Sequence, residues 1–139
     1  MRTERRLNRL ETVLRHRQPD LTVVMENIHD PHNVSAILRS CDAAGVMEVQ
    51  LVYTSTEFPN LGEKSSASAK KWVEQRCFKS VKACYDKLHE EGYAIYATHL
   101  EAEAKVPYEI DMTKKIAFVV GNEHEGVSLE AVELADGIV

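Results

Sequence analysis

The 139-residue sequence lacks the marks of a secreted, metal-bound or membrane-spanning chain. It has three cysteines, Cys41, Cys77 and Cys84, at unrelated spacings. An odd number without a CxxC pair fits neither a disulfide framework nor a cysteine metal site. Reduced thiols are expected instead, with Cys41 and Cys84 on apolar helix faces. No apolar run approaches the roughly 18–20 residues of a membrane span. The opening, Met1 to Arg17, is basic but has no apolar stretch of the secretory type, which leaves the cytoplasm as the expected compartment. GxGxxG and GK[ST] are both absent, which argues against NAD and ATP as ligands.

What is present describes an ordinary single domain. The length is typical of one domain, and 44% hydrophobic with 28% charged residues is a globular balance. The net charge of −5 hides an uneven distribution. Residues 1–17 carry six arginines (Arg2, Arg5, Arg6, Arg9, Arg15, Arg17) against Glu4 and Glu11, a local +4. A second basic island at 64–79 holds Lys64, Lys70, Lys71, Arg76 and Lys79 against Glu74 alone. Each island is either a phosphate-binding patch or a solvated helix face.

Along the chain, apolar periodicity and punctuation alternate between strand and helix. Leu7, Leu10 and Leu14 predict a helix over 3–17, stopped by Pro19. A β-branched run at 21–25 reads as a buried strand. A helix over 33–44 follows, with Val34, Ile37, Leu38 and Cys41 as its apolar stripe and Gly45 just past its end. Strands are expected at 48–53, 72–78, 93–98 and 116–120. Ser80 is positioned to cap a helix reaching about Glu91, with Gly92 as its stop, and Ser128 to cap one reaching about Ala135. Gly137 to Val139 looks like the start of another strand. Such alternation predicts an α/β protein with a parallel sheet and helices on both faces. Ligands then belong in the loops beyond the strands' carboxyl ends, at 26–33, 98–105 and 121–127.

The first loop, Glu26 to Asn33, is densely polar. Asn33 sits at or near a helix start, where it either caps the helix or faces a ligand. His29, Asp30 and His32 are too closely spaced to converge on one ion, and no Cys or further His completes a set, so no metal is expected. On the following helix Ser35, Arg39 and Asp42 share a face. Arg39 either reaches a phosphate, steadied by Ser35 or Asp42, or forms a surface ion pair within the helix. The loop after Val120 offers Gly121 for close backbone approach to a ligand and Gly126 before a capped helix. Its acidity makes it a poor pyrophosphate site.

Taken together the motifs are more specific. Asn27-x-His29-Asp30-Pro31-His32-Asn33-x-Ser35-Ala36-x-x-Arg39-x-x-Asp42-x-x-Gly45 resembles the first signature of the SpoU RNA ribose 2′-O-methyltransferases. Gly121-Asn122-Glu123-x-x-Gly126-Val127-Ser128 resembles the second, at a matching separation. The stretches Arg17 to Val23 and Lys70 to Val73 resemble the members of that family that act on tRNA.

The resemblance implies a SPOUT fold, S-adenosylmethionine as methyl donor, and a homodimer with active sites at the subunit interface. It further implies methylation of the guanosine at tRNA nucleotide 18, in the D-loop. Arg39 would activate the ribose hydroxyl, Asn33 would shape the catalytic pocket, and Glu123 would support it. Thr98, His99, Leu100, Gly121, Asn122, Glu123 and Gly126 would line the cofactor. RNA contacts are expected from Arg5, Arg6, Arg9, Arg15, Arg17, His32, Lys64, Lys70 and Lys71. Residues 1–18 are expected to form a basic tRNA-contacting helix and 19–139 an incomplete catalytic domain. The family's third signature, an Ile-Pro-Met-x-Gly loop followed by Ser-Leu-Asn-Val-Ser, does not occur in these 139 residues. The expectation is that the knot-forming segment is absent and that these residues alone bind the donor weakly and are inactive. The alternatives are an rRNA 2′-O-methyltransferase and a catalytically dead RNA-binding or dimerisation module.

Overall fold

The computed structural model describes residues 3–61, 69–100 and 104–139. Lys64, one of the expected RNA contacts, lies outside the described residues. Helix α1 (Glu4–Arg15) leads into strand β1 (Leu21–Glu26), α2 (Pro31–Ala44) and β2 (Glu48–Val52). Then come β3 (Glu74–Phe78), α3 (Val81–Glu90), β4 (Ala94–Ala97), β5 (Ile116–Val120), α4 (Leu129–Leu134) and β6 (Gly137–Ile138).

Among the described residues the strands form one parallel sheet in the order β3-β2-β1-β5-β4-β6. Each face is covered, as a parallel sheet requires. On one face Val34, Leu38 and Cys41 of α2 pack on Met25, Val49 and Leu51. On the other, Val81, Cys84, Tyr85 and Leu88 of α3 and Ala131 of α4 pack on Val24, Ile95, Ala117 and Val119. Burial pushes the Cys41 thiol up to about 11 and the Cys84 thiol up to about 12, so both behave as inert core groups. Cys77 is exposed.

The helix boundaries follow local chemistry. Ser80 accepts from the Ala83 N–H at 3.1 Å and Ser128 from the Ala131 N–H at 3.2 Å, both as expected. Gly45 ends α2 at φ 81, and a Cβ there would lie 2.2 Å from the His16 carbonyl oxygen. Two expectations need correction. Asp30, not Asn33, caps α2: it accepts from the His32 N–H at 2.8 Å, with Pro31 at the first helical position. Residues 69–72 are helical and β3 begins only at Glu74, because Ala69 and Val73 are drawn into the core beside Leu61.

The strand order places β1 between β2 and β5, so the chain's crossovers leave β1 and β5 in opposite directions across the sheet. A crevice opens at such a switch point. The loops 27–30 and 121–127 border it.

Leu38 is fully buried, whereas Leu14 on α1 is 60% exposed. Leu38→Ala is expected to cost about 2–5 kcal/mol in urea denaturation, and Leu14→Ala less than about 0.5 kcal/mol.

Candidate functional site

Side chains tie the two crevice loops into one unit. The Glu123 carboxylate accepts from the backbone N–H groups of His29 (3.3 Å) and Asp30 (3.2 Å) and from the Asn33 side-chain amide (3.0 Å). Desolvation would raise this carboxyl. The Asn33 amide and the backbone N–H groups outweigh it and hold the group down at about 2. A negative charge at the start of α2 also matches the helix dipole. The Asn122 side chain donates to the Asn27 carbonyl at 2.8 Å and accepts from the N–H groups of His124 (2.8 Å) and Glu125 (3.1 Å). Asn27 adopts φ +48, a left-handed conformation that asparagine tolerates. Its side-chain oxygen accepts from the Thr54 N–H at 2.8 Å, which fastens the loop to the end of β2.

Beneath them sits a residue that the motifs did not single out. Glu26, only 3% exposed, ends β1 and accepts from both the N–H (2.7 Å) and the hydroxyl (2.6 Å) of Ser128. A buried carboxylate survives only where donors satisfy it, and here it holds the start of α4 against β1. Its signal was an ionisable residue closing an otherwise apolar strand.

The two glycines differ in their surroundings. A Cβ on Gly121 would lie 2.3 Å from the backbone of Gly126 and Val127, so Gly121 lets the loop close on itself rather than admit a ligand. Gly126, at φ +70, has nothing within 4 Å of a Cβ position and faces open space. That space is a cleft of about 600 Å³, a normal size for a small-molecule site. Gly126 and Val127 line it with Thr98, His99, Leu100, Ala104, Lys105, Val106, Pro107 and Val139. Of the residues expected around a cofactor, Thr98, His99, Leu100 and Gly126 therefore meet, while Gly121, Asn122 and Glu123 do not line the cleft. The Thr98 hydroxyl is spent on the Val119 carbonyl at 2.8 Å. Among the described residues the lining is mainly apolar, with Lys105 its charged member, which suits a flat heteroaromatic ring and not a pyrophosphate. The expected ligand loop at 98–105 reaches Lys105, but no sequence signal marked Val106 or Pro107.

The cations divide in the same way. Arg39 is exposed on α2, and its side chain makes no hydrogen bond or ion pair among the described residues. Asp42 does not steady it, because Asp42 pairs with Arg17 at 2.6 Å. The Arg17 side chain is 7% exposed and also donates to the Asp42 carbonyl at 3.2 Å, so it fastens α1 to the end of α2 instead of standing ready for RNA. Arg76 is likewise engaged, by Glu48 at 2.9 Å and Glu91 at 2.6 Å. Arg15 pairs with Glu11 on the surface at 2.5 Å, Lys70 donates to the Leu61 carbonyl at 3.2 Å, and His32 is exposed in the first turn of α2. Arg5, Arg6 and Arg9 share a second cleft with Lys71 and Trp72.

Comparison with known proteins matches this arrangement. Residues 20–139 match the SpoU rRNA Methylase family. The tRNA (guanosine(18)-2′-O)-methyltransferase of Thermus thermophilus is 48% identical over 138 residues, covering 99% of this chain and 71% of that protein. The crystal structure of the Aquifex aeolicus TrmH/SpoU tRNA modifying enzyme superposes with a TM-score of 0.88 at 38% identity, covering 98% of this chain and 69% of that one. The SpoU methyltransferase AviRb of Streptomyces viridochromogenes, solved with AdoMet, shares the fold at a TM-score of 0.73 and 20% identity, covering 88% of this chain and 48% of that one. With the signature loops clamped at the switch point of a parallel sheet and the family matched over residues 20–139, the chain belongs to the SpoU methylase family.

Proposed function

We propose that this chain is the catalytic body of an enzyme that transfers the methyl group of S-adenosylmethionine to a ribose 2′-hydroxyl of tRNA, that of guanosine 18 in the D-loop. The observation that carries the reading is the 48% identity, over nearly the whole chain, to a tRNA (guanosine(18)-2′-O)-methyltransferase. The 600 Å³ cleft supports the donor: its apolar lining suits an adenine ring, and the open space above Gly126 leaves the backbone accessible. Thr98 to Leu100 and Gly126 would hold it, with Gly121 and Asn122 shaping the loop that carries Gly126. When bound, the donor supplies a methyl group on a positively charged sulfur, which a ribose oxygen can attack once its proton is drawn away.

Arg39 answers that need by charge. A ribose hydroxyl ionises far above neutral pH, so its oxygen attacks only where a base or a nearby cation favours the alkoxide. An arginine stays protonated, so Arg39 polarises and positions the hydroxyl. Its lack of a carboxylate partner among the described residues leaves that charge uncompensated. Asn33 and Glu123 act together by holding the loop 27–33 onto 121–127, which sets the wall of the pocket. Residues 1–18 serve as a tRNA-contacting arm and 19–139 as the catalytic body. A homodimer in the cytoplasm completes the reading. The exposed apolar groove between α2 and the β1/β5 strip, lined by Leu21, Val23, Ile37, Phe118 and Val120, supports a second copy as its cover.

Incubation of the full-length protein with unmodified tRNA and methyl-labelled donor tests the activity. Label at the 2′-oxygen of guanosine 18 is expected, and its absence there would overturn the reading. Arg39→Ala is expected to lower transfer at least about a hundredfold, while calorimetry records unchanged donor binding. Glu123→Gln is expected to slow transfer severalfold by loosening the clamp. In the unsubstituted protein the clamp's contribution is complete above about pH 4.5, the carboxyl's ordinary value, and is lost as pH falls toward 2. Hydrogen exchange at the His29 and Asp30 amides is therefore expected to stay slow at pH 5.

A further inference from the structure

The two basic islands are separated in sequence by residues 18–63, yet they meet. Arg5, Arg6 and Arg9 of α1 face Lys71 and Trp72 across a cleft of about 320 Å³, with Thr3 and Leu10 completing its lining. Among the described residues no acidic side chain lines it. Arg15, Arg17 and Arg76 are neutralised by carboxylates, but Arg5, Arg6, Arg9 and Lys71 form no ion pair among the described residues. Four cations held around one space repel one another unless an anion joins them. Trp72 is half-buried beside them, and the Lys71 ammonium lies 5.1 Å from the centre of its ring.

We infer that this cleft is a nucleotide-binding site for single-stranded RNA, in which the arginines hold the phosphodiester backbone and the Trp72 indole stacks a base. This deepens the methyltransferase reading and rests on it for the identity of the RNA. Guanidinium forks match phosphate oxygens in pairs. Stacking of a base on an indole is stronger than the exposed ammonium–ring contact it displaces, and that displacement frees Lys71 for a phosphate. The combination of a cationic groove with one aromatic platform favours an unpaired nucleotide over a duplex, whose bases are already stacked. Trp72 precedes the amino-terminal end of β3, whereas the clamped loops follow the carboxyl ends of β1 and β5. The nucleotide held here is therefore remote from the reacting ribose and contributes affinity, not chemistry.

Trp72 is the only tryptophan in the chain, so its fluorescence reports on this cleft without labelling. Unmodified tRNA is expected to quench it at low salt, and 0.5 M salt to abolish the effect. Inorganic polyphosphate is expected to bind with little quenching, because it has no base. Arg5→Ala/Arg6→Ala/Arg9→Ala, on a helix with no buried residue, is expected to remove the quenching and raise KM for tRNA while KM for the donor does not move. Trp72→Ala is expected to raise KM for tRNA about tenfold. Trp72→Phe keeps both the packing and an aromatic face and is expected to recover most of that loss. Methyl transfer to tRNA without quenching would overturn the nucleotide site and leave the methyltransferase reading intact. Quenching without transfer would do the reverse. Equal quenching by polyphosphate would reduce the cleft to a bare anion site and overturn the stacking role.

Discussion

Two loops leaving adjacent strands of a parallel sheet diverge, because their crossovers run to opposite sides; something has to hold them together. In this protein the holding is done by hydrogen-bonded carboxylates and amides. Glu26 anchors the second loop from below through Ser128, and Asn122 stitches it to the Asn27 carbonyl. Glu123 closes the top on the first turn of α2. Two of the acceptors are carboxylates, and hydrogen bonds make these ties directional where apolar packing would not be. The cleft beside Gly126 and the exposure of Arg39 are consequences of this arrangement. The loop that lines the cleft is also the loop that bridges to α2.

Much of the fold was legible because it is written in local chemistry. Val81 to Glu90 announces its start with Ser80 and its stop with Gly92, and Ile116 to Val120 is an uninterrupted apolar run of strand type. Asp30 was readable too. An Asp-Pro step is a strong helix-start signal, but Asn33 offered a competing cap two residues into the same turn. The beginning of β3 was not readable. Trp72 and Val73 favour strand by residue type, and only the packing of Ala69 and Val73 in the core with Leu61 draws 69–72 into helix.

The site was legible in its parts and not in its wiring. The motif residues do gather at one end of the sheet, but nothing local tells Gly121 from Gly126. One is crowded by its own loop and the other faces open space, a distinction that exists only after the loop has closed. The same holds for the arginines. Arg17 and Arg9 look alike in sequence, yet a carboxylate twenty-five positions away makes one a structural fastener and leaves the other exposed.

That fastening gives α1 an unusual mechanical character. The helix buries no residue along its length. Its best-defined ties are at its exit, where Arg17 grips Asp42 and the Gln18 N–H and side chain meet the carbonyls of Gly45 and Ala44 at 2.6 Å each. The body of the protein can therefore stay folded while this arm swings or frays about a pivot at residues 16–18, a low-energy opening independent of the core. A basic arm of that kind samples a wide volume before it settles, which widens the capture radius for a polyanion many times larger than the domain itself.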